Sequence, residues 1–125
     1  MRTLIGSTFP LSLIRRRVVI EPGAIEDLRA CLAAAPPASF WGHRNTLAQA
    51  SALTGVDLTP RTERPAIELD HEGFPGLEGE TFRACWVLSP DYVPGFRPAI
   101  GEEVPATKIR GWQVLRVSWE EEGGA

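Results

Sequence analysis

The chain has 125 residues, 43% of them hydrophobic, with 13 Lys and Arg against 16 Asp and Glu and a net charge of −3. That length suits one domain and can bury one core without staples. The acidic balance, with a pI of about 5.4, argues against general nucleic-acid binding: no duplex DNA partner is expected, and any anionic ligand has to be held by a local group of cations.

Arg2–Ile5 reads as a strand closed by Gly6, and GSTFP follows as a loop. Leu11–Ile14 suits a single helical turn, and Arg15–Pro22 a second strand with a basic start. Ala24, Ile25, Leu28, Cys31 and Leu32 recur at helical spacing, and Pro36-Pro37 ends that helix. Ala38–Trp41 is a short strand, and Asn45–Thr54 a second helix with Gly55 as its stop. Pro65–Leu69 alternates as a strand, DHEGFPG is turn chemistry, and Thr81–Leu88 is a strong strand. SPDYVPGFRPAIGEEVP then reads as one long loop, of the kind that often carries function. Trp112–Trp119 is the last strand, and residues 121–125 read as a flexible tail after a single domain over 1–120. The pattern predicts an α+β fold: a mixed sheet with two main helices packed mostly on one face.

Cys31 and Cys85 form no CxxC pair and read as buried free thiols of a reducing compartment. No signal-like apolar run opens the chain and no segment is long enough to span a membrane. A cytoplasmic setting without membrane attachment is therefore expected.

The stretch SFWGHRNT, Ser39 to Thr46, holds the best candidate for chemistry. Histidine transfers protons near neutral pH. Gly42 permits close backbone approach to a ligand. The amides of Arg44, Asn45 and Thr46, at a helix start, can face a phosphate oxygen. The plain alternative is that His43 only caps the helix or hydrogen-bonds a carbonyl. Trp41 reads as core, or as a wall for a base. Ser7 and Thr8 could offer hydroxyls beyond the first strand, although no Walker motif is present. Arg97 sits in a rigid Pro-flanked turn and reads either as an anion clamp or as a solvated loop arginine; Glu102 and Glu103 follow, to orient a histidine or simply as solvated charges. Arg15, Arg16 and Arg17 read as a charged sheet edge, and His71 as a solvated turn residue. The two histidines lack ligand spacing and the cysteines are unclustered, so neither a metal nor any other cofactor is expected.

TLIGSTFPLSL, followed by a helix and then SFWGHRNTLAQASALTGVDL, resembles the small viral type III anti-CRISPR ring nucleases and their cellular CRISPR-associated relatives. The resemblance rests on Gly42, His43, Thr46 and the helix end Leu53–Val56, with Arg64–Leu69 similar to the next family strand. It covers about the first 70 residues. It implies binding of cyclic tetra-adenylate across a homodimer, in the cytoplasm of the host if the chain is viral. It further implies metal-free cleavage: a ribose 2′-hydroxyl attacks the adjacent phosphate, and His43 protonates the leaving 5′-oxygen. Ser7 falls where the family places a polar ligand contact. Arg97 and Glu102 match a family Arg and Glu by position only, and Arg44-Asn45 departs from the acidic or small residue usual after the histidine. The alternatives are a module that binds or sequesters a nucleotide or RNA, and a protein-interaction domain built on the Trp-rich sheet.

Overall fold

The computed structural model describes residues 1–121. Five strands form the main sheet: β1 (Thr3–Gly6), β2 (Val18–Pro22), β3 (Pro37–Ser39), β7 (Ala84–Tyr92) and β8 (Ile109–Trp119). Their order is β2-β8-β7-β1-β3. β1 runs parallel to both β3 and β7, while β8 is antiparallel to β7 and β2. A small antiparallel sheet holds β4 (Glu68–Leu69), β5 (Pro75–Leu77) and β6 (Glu80–Thr81). The helices are α1 (Ile25–Ala34) and α2 (Leu47–Thr54).

Strand alternation sorts the core into two layers. Ile5, Trp86, Leu88 and Val114 face one way, against Leu28, Leu32, Ala50 and Leu58. Leu4, Cys85, Val87 and Val117 face the other, against Leu13, Phe74, Leu77 and Phe82. Both helices therefore cover one face and the small sheet covers part of the other, which is the predicted α+β arrangement. α1 begins with Glu26 and Asp27 in its first turn, where carboxylates favour the dipole. α2 stops at Gly55, whose φ of 80° is the left-handed cap expected there.

Several element boundaries differ from the sequence reading: β3 is Pro37–Ser39 rather than Ala38–Trp41, β4 is only Glu68–Leu69 of Pro65–Leu69, α2 begins at Leu47 after a 3-10 turn, β8 begins at Ile109 rather than Trp112, and the run Thr81–Leu88 is divided between β6 and β7. β2 starts at Val18, not Arg15, because Arg16 turns aside to donate to the Glu120 and Glu72 carbonyls (both 2.7 Å). β7 runs on through Ser89, Pro90 and Asp91 to Tyr92, into what reads as loop. Pro90 is tolerated because β1 pairs with β7 only as far as Val87, so β7 is an edge from there on. The turn DHEGFPG runs into a hairpin the reading lacked, β5 and β6, joined by Glu78 and Gly79 with φ of 52° and 82°. Glu121 pairs with Arg83 at 3.1 Å. The remainder of the expected tail, residues 122–125, lies outside the described residues.

Candidate functional site

The site forms where the parallel strands end. Pairing of Ile5 with Ser39 brings the carboxyl ends of β1 and β3 side by side, and the Phe40 amide continues the ladder by donating to the Ile5 carbonyl at 2.9 Å. A Cβ on Gly6 would lie 2.2 Å from Phe40 Cε2. The missing side chain at 6 is therefore what lets the Phe40 ring lie across the strand end. The next residues on each strand, Ser7 and Trp41-Gly42-His43, are thereby brought together although 36 positions separate Ser7 from His43. Ligands of open sheets with parallel strands commonly sit beyond such carboxyl ends.

His43 is exposed and Ser7 is buried. Nδ1 of His43 lies 2.9 Å from Ser7 Oγ, and the Gly42 amide donates to the same oxygen at 3.3 Å. No described residue hydrogen-bonds Nε2, so that nitrogen is the one available to a ligand. His43 is the N-cap residue of the following 3-10 turn (Arg44–Thr46), but its side chain makes no cap hydrogen bond. Its carbonyl is fixed from three directions: by the Trp41 indole N–H at 2.8 Å, the Thr46 amide at 3.1 Å and the Thr46 hydroxyl at 3.2 Å. A third parallel strand joins in through Ser89 Oγ, which donates to the Ser7 carbonyl at 3.2 Å.

The expected site residues divide into those gathered here and those left apart. Ser7, Gly42 and His43 touch one another. Thr46 is buried with both donors on the His43 carbonyl, so its amide is not open to an anion as the helix-start reading expected. Arg44 is exposed and donates to the Glu63 carbonyl at 3.1 Å. The Asn45 carbonyl accepts from the Val104 amide at 2.7 Å, which draws the long loop back to this turn. Gln49 of α2 holds the same loop by donating to the Val104 carbonyl. A groove of 410 Å³ results, lined by Arg44, Asn45, Ser51, Asp57, Gly101 and Glu103. Thr8, Arg97 and Glu102 are exposed, and their side chains hydrogen-bond no described residue. Glu103, not Glu102, lines the groove.

Two further expectations are settled by burial. Trp41 is 0% exposed in the helix-side core, so it cannot wall a base. His71 is a solvated turn residue, as expected, with its side chain 88% exposed beside Glu72. Sequence reasoning missed Ser89 and Gln49. Neither carries a local signal, because each acts through a backbone carbonyl of a distant segment. Among the described residues no group of three or more His, Cys, Asp or Glu side chains is placed to hold a metal ion. No described helix is long and apolar enough to cross a membrane.

The fold is similar to that of a viral protein. B116 of Sulfolobus turreted icosahedral virus matches with a TM-score of 0.56, over 96% of this chain and 100% of its own, at 14% sequence identity. At that identity the likeness is one of fold. No family model matches the sequence, and no curated protein does.

Proposed function

We propose that this chain binds a cyclic oligoadenylate, the tetramer foremost, and opens the ring without a metal. The observation that carries the reading is the His43–Ser7 contact beyond the ends of β1 and β3, at the place where SFWGHRNT resembles the ring nucleases. The fold shared with a viral protein is compatible with it.

The chemistry needs one proton donor. The 2′-hydroxyl loses its proton to water as its oxygen attacks the adjacent phosphorus, the P–O5′ bond breaks, and the departing O5′ takes a proton from the acid. Protonated histidine donates from both ring nitrogens. In this reading Nδ1–H is held by Ser7 Oγ, which leaves Nε2–H for O5′. The products are linear, with a 2′,3′-cyclic phosphate at one end and a 5′-hydroxyl at the other. A general acid of this kind contributes roughly 10²–10⁴-fold, and holding O2′ in line with phosphorus supplies much of the rest. Arg44, Asn45 and Thr8 border the site as polar contacts, Arg97 serves as an anion clamp, and the open side of Gly42 admits the sugar-phosphate. A ring with two-fold symmetry fits a homodimer in which each protomer offers the same site, acting in the cytoplasm of a cell or of a viral host.

A second reading is favoured by one observation: neither Arg97 nor Glu102 is tied to His43, so a single acid–base group marks the site. A module that binds and sequesters the ring would need no more. Incubation with cyclic tri-, tetra- and hexa-adenylate in EDTA separates the two. Linear products with cyclic phosphate ends support the nuclease, whereas a bound ring recovered intact supports sequestration. No binding of any ring rejects both.

A further inference from the structure

At the other end of β1, about 13 Å from Ser7 at the usual rise per residue, the foot of the main sheet carries a slot of 360 Å³. Its walls include Leu4, Phe82 and Trp86, all buried. Ala34 and Ala84 leave room where larger side chains would close it. Three arginines line the slot: Arg2, Arg83 and Arg116. Two are already engaged. Arg2 pairs with Glu78 and Glu80, each at 2.9 Å. Arg83 pairs with Glu121 at 3.1 Å and lies 3.5 Å over the Phe74 ring.

Arg116 differs. The register sets it opposite Trp86 on one side and Glu21 on the other. Its guanidinium carbon lies 5.1 Å from the centre of the Trp86 ring. Its Nε is buried and hydrogen-bonds to no described residue. No described carboxylate lies within ion-pair distance of it.

We propose that this slot binds a small carboxylate with an apolar body, its carboxylate on the Arg116 guanidinium and its body against Trp86 and the alanine-lined wall. The volume falls within the range of small-molecule sites, roughly 300–1,000 Å³. The planar fork of arginine matches a carboxylate, and a largely apolar surround strengthens the pair. Arg116 is the one arginine of the slot without a described carboxylate partner, which suits a monoanion. A cyclic oligonucleotide, with a charge at every phosphate, does not fit that balance. The site is independent of His43 and of the nuclease reading.

Octanoate titrated into the whole protein, followed by amide and indole NMR shifts, is the test, with octanol and octyltrimethylammonium as controls. Saturable octanoate binding that moves Ala84 and the Trp86 indole is expected. Octanol should bind roughly 10–100-fold more weakly, the worth of one charged hydrogen bond, and the ammonium not at all. Arg116→Met, which keeps an apolar stem on Trp86, should bring octanoate down to the octanol level. Ala34→Phe should block both, and His43→Ala neither. Equal affinity for octanoate and octanol, or no saturation, overturns the proposal even if a variant fails to fold. So does an Ala34→Phe variant that loses oligomer mass while octanoate never binds, because the slot is then a protein interface.

Discussion

His43 turns its ring away from the helix it precedes and toward Ser7, 36 positions earlier. This contact is what gives the Gly-His pair more than local meaning. Beside it, a Cβ on Gly42 would meet no protein atom within 4 Å, so nothing inside the chain demands glycine there. If the open space serves the ligand, Gly42→Ala should melt as the wild type does or slightly higher, by at most about 1 kcal/mol, yet bind cyclic tetra-adenylate more weakly. Equal affinity in a titration would show that the space is idle. Arg97 can be judged against Arg61 in the same assay. Arg61 already lies 3.2 Å from Glu78, while Arg97 has no described partner. Arg97→Ala should therefore cost on the order of 1.5–3 kcal/mol of binding, as expected for a charged hydrogen bond, and Arg61→Ala much less. Matching losses would mean that the clamp lies elsewhere.

At the scale of elements, the site depends on how β1 and β3 end. The Phe40 ring occupies the space a side chain at 6 would need. Gly6→Ala should destabilise by about 1–3 kcal/mol, as overpacking does, and should disturb the Ser7–His43 contact with it. A wild-type denaturation midpoint would contradict this. The opposite end of β1 is tied to β6 by Glu80, which accepts from the Arg2 amide and Nε, both at 2.9 Å. These bonds to Arg2 hold the Glu80 carboxyl below its usual value, with the backbone bond the largest cause. The lowered value means that Glu80 contributes stability above the ordinary carboxylate range and loses it as pH falls through the folded value. The gap in urea midpoint between wild type and Glu80→Gln should be constant near neutrality and shrink in acid. A gap that widened as pH fell would reverse the assignment.

Much of this was readable in the chain. α1 and α2 show helical spacing because each buries one stripe on the same sheet face. β7 and β8 show strongly because they are long and rich in Val, Leu and Trp. β5 and β6 were hidden because Glu78-Gly79 is a weaker hairpin signal than Asn-Gly or Asp-Gly. The run of β7 past Leu88 was hidden because Pro90 argues against a strand unless one neighbour is known to be absent. At the site, Gly42-His43 after a strand was legible. The return of the long loop was not, since the Val104–Asn45 backbone bond carries no side-chain signature. The same loop geometry decides that Glu103 rather than Glu102 faces the groove.

For the whole molecule, the mixed sheet places the ends of β1 and β3 at one pole beside the middle of β7, where Ser7, Ser89 and His43 converge. The Arg116 slot lies at the other pole. In the proposed function a polyanion is held at the first pole by local cations rather than by a basic surface overall. The central claim is that His43 is the proton donor for ring opening, and single-turnover cleavage of labelled cyclic tetra-adenylate in EDTA, comparing wild type with His43→Ala, tests it most directly. Cleavage by the wild type to 2′,3′-cyclic phosphate ends, slowed roughly 10²–10⁴-fold in His43→Ala with binding largely kept, is the predicted result. Cleavage by His43→Ala at the wild-type rate would contradict the account.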